Sequence, residues 1–211
     1  MRLRLLALLL VARPASAIVD PQMLRTALVS ELRALPGDDV GREASALLAS
    51  SSVPLSIGLT GPGPDGRPAT AIYAPGKGIT IDAALARGND AEDLARRLAP
   101  TIVHELEHAR ADLAVPGAPA ALEDEWAAYA AEAAFVRRRA AAQPGYLRRR
   151  GLGRLGRNNA FTARAGKGGL DGVRRACERD GLFRGLKPAT GAAAAYYRAR
   201  LELLRAALAS E

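Results

Sequence analysis

His104-Glu105-Leu106-Glu107-His108 contains both histidines of a 211-residue chain. The two lie four residues apart. On a helix that spacing puts both rings on one face, where they can grip one metal ion. Glu105 lies one step round the helix, where its carboxylate can reach a water on that ion. Zinc lowers the pKa of such a water to about 7, so the glutamate can take its proton. The resulting hydroxide attacks a carbonyl polarised by the metal, and the glutamate then delivers the proton to the leaving amine. Given one histidine, the other falls four residues on by chance roughly once in 200, and a glutamate in the right place between them cuts that by about twenty, from a usage near 5%. The plain alternative is two surface histidines on an amphipathic helix.

Residues 101–112, with the helix after them and more weakly the hairpin before, resemble the zincin metallopeptidases. Glu107 and Arg110 stand where that family usually carries uncharged residues, and they are expected to face solvent or each other. Catalytic zinc takes three protein ligands and keeps a place for water. With no third histidine the long metzincin signature is excluded, and a carboxylate must serve. Asp112 is too far along the motif's own helix to join both histidines, and is expected to accept an imidazole N–H instead. Glu123, Asp124, Glu125 and Glu132 follow on the next helix, which an antiparallel turn across Pro116–Pro119 would bring back beside the motif. The gluzincin arrangement, whose third ligand is a glutamate on a downstream helix, implies Glu125. Its face continues through Ala128, Tyr129 and Glu132, and the segment E-W-A-A-Y-A-A-E looks like the glutamate helix of small gluzincin-like proteins. Glu123 is the runner-up, and Glu132 is two turns further on. Glu123 and Asp124 also suit the positive end of a helix dipole.

Oxyanion stabilisation needs a donor near the metal. Tyr129, Tyr196 and Tyr197 are available, although packing explains each as well, and Trp126 reads as core. Residues 76–81 resemble the strand before the zincin active-site helix, whose exposed edge can pair with an extended substrate. Gly166–Gly169 lacks P-loop spacing, so no nucleotide site is read there.

The elements that must hold these residues follow from local pattern. Leu24, Leu28, Leu32 and Leu35 recur at helical spacing behind Asp20-Pro21, an N-cap followed by proline at the first helical position. A second short helix covers about 40–50. Val53, Leu55, Ile57 and Leu59 alternate as a strand. Ala69–Ala74 and Ile79–Ile81 read as a hairpin around Pro75–Gly78. Asp82 caps a short helix. Residues 91–113 are helical, with Pro100 either kinking one helix or opening another. Helices follow over 121–142, about 170–180 and about 190–209, with loops and short turns over 143–170. The fold class expected is α+β: mainly helical with a small antiparallel or mixed sheet, zincin-like, in a single domain over 18–211.

Half the residues are apolar and a quarter charged, which excludes chain-wide disorder and collagen-like repeats. Cys177 stands alone, so neither an internal disulfide nor a cysteine-based zinc knuckle is available. Residues 1–17 carry Arg2 and Arg4, an apolar run from Leu5 to Ala12, and Ala15-Ser16-Ala17, the order of an export signal cleaved near Ala17. The protein is therefore expected outside the cytoplasm, secreted or periplasmic, with no transmembrane segment. Residues 1–136 balance at −5 and residues 137–211 at +13. That basic region lacks the interleaved aromatics that stack bases, so no nucleic-acid partner is expected. The reading is an exported Zn2+-dependent metallopeptidase acting on a peptide or protein, with His104, His108 and Glu125 on the metal and Glu105 as general base. Its rivals are a catalytically inert zincin-like metal-binding or interaction protein, and a basic exported binding module.

Overall fold

In a computed structural model of the chain, the described residues are 17–62, 68–146, 162, 164–180 and 185–209. The expected leader lies outside them, except for Ala17, and so do most of the loops expected over 143–170. Asp20 accepts from the amides of Gln22 and Met23 and starts α1 (Pro21–Arg33), which buries Leu24, Leu28 and Leu32. Each such side chain contributes about 1.5–3 kcal/mol of apolar burial. Asp38 caps α2 (Asp39–Ala49) in the same way, through the Gly41 amide.

Three strands follow: β1 (Leu55–Gly58), β2 (Ala71–Ala74) and β3 (Gly78–Asp82). The expected hairpin is present, with β2 antiparallel to β3. The sheet order is β1-β3-β2, and β1 runs parallel to β3. This corrects the expectation that residues 76–81 form an exposed edge. β3 is the central strand, because β1 docks along its far side, and β2 is the edge. Gly78 allows that docking: its φ is +83°, and a Cβ there would lie 2.2 Å from the Pro54 carbonyl oxygen, which accepts from the Ile79 amide.

Asp82 caps α3 (Ala83–Ala86) and Asp90 caps α4 (Ala91–Ala114). Pro100 neither ends α4 nor opens a new helix. It withholds one amide from the carbonyl of Arg96, and the helix runs on. Val115–Ala120, with Gly117 at φ +74°, turns the chain into α5 (Leu122–Ala142). Ala127, Ala128, Ala130, Ala131, Ala133 and Ala134 are buried along α5, so its backbone comes close to its neighbours. Two further helices, α6 (Gly169–Asp180) and α7 (Gly191–Ala209), pack against α5. The class is α+β, with a small mixed sheet beside the helices. Among the described residues no helix is long and apolar enough to cross a membrane.

Candidate metal centre

The motif lies in the C-terminal half of α4, and the turn after it brings the start of α5 back alongside. His104 and His108 point their Nε2 atoms at each other, 3.2 Å apart. Glu125 of α5 places Oε2 3.8 Å from His104 Nε2. One ligand atom from each of these three residues falls within a 4.8 Å cluster. The three residues expected as ligands therefore converge, and they could hold a cation.

The other nitrogens face acids. His108 Nδ1 is 2.9 Å from Asp124 Oδ2, and His104 Nδ1 is 3.4 Å from Glu132 Oε2. In the neutral ring a carboxylate beside Nδ1 keeps the proton there, so that Nε2 is the nitrogen with a lone pair for a ligand. Burial alone would lower the pKa of His108; the hydrogen bond and charge of Asp124, with Glu125 and Glu105, outweigh it and push the ring up to about 9. His104 is also raised: burial opposes it, and Glu132 prevails. Thr162 donates to the other oxygen of Glu132 at 3.1 Å. The ring of Tyr129 stands edge-on to His104, with centroids 4.5 Å apart.

Glu105 is buried, and burial raises its pKa above the ordinary carboxylate range against the pull of His104, His108 and one amide. That amide is Tyr73 N–H of β2, which donates to Glu105 Oε2 at 2.7 Å. The phenol of Tyr73 in turn donates to Asp112 Oδ2 at 2.7 Å. Asp112 therefore does not serve an imidazole, as expected of it. The strand brings it a nearer donor, and Asp124 fills the role it was expected to have at His108. Glu123, the alternative ligand, turns away and accepts from the Ala189 amide at 2.9 Å. Tyr197 lies buried on α7 with Asp124 as its hydrogen-bond partner. Trp126 is half-buried, with the Arg174 guanidinium 4.9 Å from its ring centroid.

Glu107, inside the motif, is buried and faces α7 and α2, beside the histidine face rather than on it. Arg200 of α7 donates to both its oxygens, at 2.6 and 2.9 Å, and reaches Glu43 of α2 at 2.9 Å. Arg110 lies 3.5 Å from Glu107 and 3.4 Å from Glu43. Glu107 and Arg110 do meet, but inside a four-membered ion network rather than at the surface. The partner on α7 is 93 residues away in sequence, and no local pattern announces it.

Comparison with protein-family models, curated proteins and solved structures finds no match.

Proposed function

We propose that this chain is an exported zinc-dependent peptidase of gluzincin type. The observation that carries the reading is the convergence of His104 Nε2, His108 Nε2 and a Glu125 oxygen, with an acid behind each imidazole. Two nitrogens and one carboxylate are a donor set zinc accepts in catalytic sites. Tetrahedral ligands about 2.05 Å from zinc lie about 3.3 Å apart, close to the 3.2 Å between the two nitrogens. The carboxylates of Glu105, Asp124, Glu125 and Glu132 crowd two imidazoles, a charge excess that a dication offsets.

A bound zinc supplies Lewis acidity, for the carbonyl under attack and for water. The remaining work belongs to the chain. Glu105 has one oxygen engaged by the Tyr73 amide, and Oε1 is the atom that accepts the proton of the attacking water. The same carboxyl must later release that proton to the leaving amine. β2 is the edge strand beside Glu105, and alternation turns the main-chain groups of Ala71 and Tyr73 away from β3. The Tyr73 amide is taken by Glu105, so an extended peptide along that edge pairs with the Ala71 groups and the Tyr73 carbonyl, its scissile bond next to Glu105. Export rests on the order of charge, apolar run and small residues over 1–17.

The test is metal analysis with labelled casein as substrate. One zinc per chain is expected, lost in His104→Ala and in Glu125→Ala. Casein hydrolysis is expected to vanish in Glu105→Gln with the zinc retained. Zinc that survives Glu125→Ala, or turnover that survives Glu105→Gln, overturns the reading.

A further inference from the structure

Two hydrogen bonds meet on Tyr73, and both run to α4. The backbone N–H goes to Glu105 Oε2 and the phenol to Asp112 Oδ2, each at 2.7 Å. Glu105 and Asp112 are seven residues apart, about 10.5 Å along the helix axis, so this one residue of β2 is fastened to α4 nearly two turns apart. β2 has only four residues and lies at the sheet edge. Among the described residues no strand pairs with it on the side away from β3 to fix its distance from the motif. A carboxylate held by an amide keeps its orientation only as well as the strand bearing that amide is held.

We infer that Tyr73 and Asp112 are positioning residues for Glu105: the phenol–carboxylate bond pins β2 to the motif helix, and the pinned amide fixes the orientation of the Glu105 carboxylate. This rests on the reading of Glu105 as the general base only for its catalytic consequence; the hold itself is a property of the fold. Because the amide occupies Oε2, Oε1 is the oxygen offered to the reaction. With the phenol released, the strand edge drifts and Glu105 samples orientations in which neither oxygen faces the attacking water.

The test is hydrogen exchange at the residue-73 amide in the full chain, alongside labelled-casein hydrolysis. An amide on the free side of an edge strand exchanges fast unless something accepts it. Protection at residue 73 is expected in the wild-type chain and expected to fall at least about tenfold in Glu105→Ala. Tyr73→Phe and Asp112→Ala are each expected to speed exchange there about tenfold while zinc content and the exchange of the α4 amides stay as they were. Each is expected to lower kcat about tenfold with KM within about twofold, and the double variant is expected to be no worse than either single one. An unprotected amide in the wild-type chain overturns the inference, as does protection indifferent to Glu105→Ala or to both latch variants. Casein turnover with kcat unchanged in both variants also overturns it. If the chain holds no zinc and cleaves nothing while the exchange pattern stands, the peptidase reading fails and the hold on Glu105 remains.

Discussion

Two faces of α4 gather ionisable side chains, and they treat charge in opposite ways. On one face Glu107 meets Arg200 and Arg110, with Glu43 closing the group, so two anions face two cations. On the other, two imidazoles are surrounded by Glu105, Asp124, Glu125 and Glu132. The matched face satisfies itself and ties α2, α4 and α7 together. The mismatched face concentrates acid around two lone pairs. Burying charge is costly unless it is compensated, so the balanced face holds itself together, and the acid excess on the other is the feature on which the proposed metal site rests. One five-residue motif supplies both, with Glu107 only one position from His108 and two from Glu105.

The largest effect separating them should come from the matched face. Glu107→Ala leaves Arg200 buried without its bidentate partner, and breaking such a pair costs about 3–5 kcal/mol. Urea denaturation is expected to show that loss, while zinc bound per folded chain stays unchanged. A folded chain that loses zinc instead would erase the distinction between the faces. Next in size, Asp124→Ala strips the acid from His108 Nδ1 and is expected to weaken zinc binding about 10- to 100-fold. Competition with a chromophoric chelator measures this.

The pH response sharpens the contrast further. In the metal-free chain the pKa of His108 lies at about 9, above the 6.5 of an unfolded histidine. A raised folded-state pKa means the His108–Asp124 pair contributes fully below about pH 6.5 and fades as pH rises through 9. Thermal midpoints of chelator-treated protein should therefore fall across that window, and Asp124→Ala should flatten the slope. The deficit of Glu107→Ala should be the same at both ends of that window. The smallest effect is reserved for Glu123→Ala. It removes an acceptor for the Ala189 amide and is expected to cost about 1 kcal/mol with zinc affinity unaltered; a drop in affinity would return Glu123 to the ligand set.

Local pattern foretold whatever is locally determined. Helix starts at Asp20 and Asp82 were readable because an N-cap acts within three residues. The hairpin was readable from its turn. Glu125 was chosen on the gluzincin resemblance, and the turn into α5 does bring it into one cluster with the two histidines. The side of β3 on which β1 docks was not readable, since a parallel pairing leaves no turn signal, and the edge was therefore assigned to the wrong strand. The roles of Asp112 and Asp124 were missed for a related reason. Which acid meets which imidazole depends on the rotation of α5 about its axis and on where β2 lies, and neither is written in the motif. Arg200 is the extreme case: one basic residue among eighteen in the last 75 positions, distinguished only by what it touches.

The bond between Arg200 and Glu107 has a bearing on how this chain can be cut. Trimming at the C-terminus usually removes decoration. Here, losing the chain from Gly191 on would take away the counter-ion of a buried acid that sits next to His108 in sequence, and α4 would lose its tie to α7. The last helix is therefore masonry: through Arg200 it braces both α4 and α2.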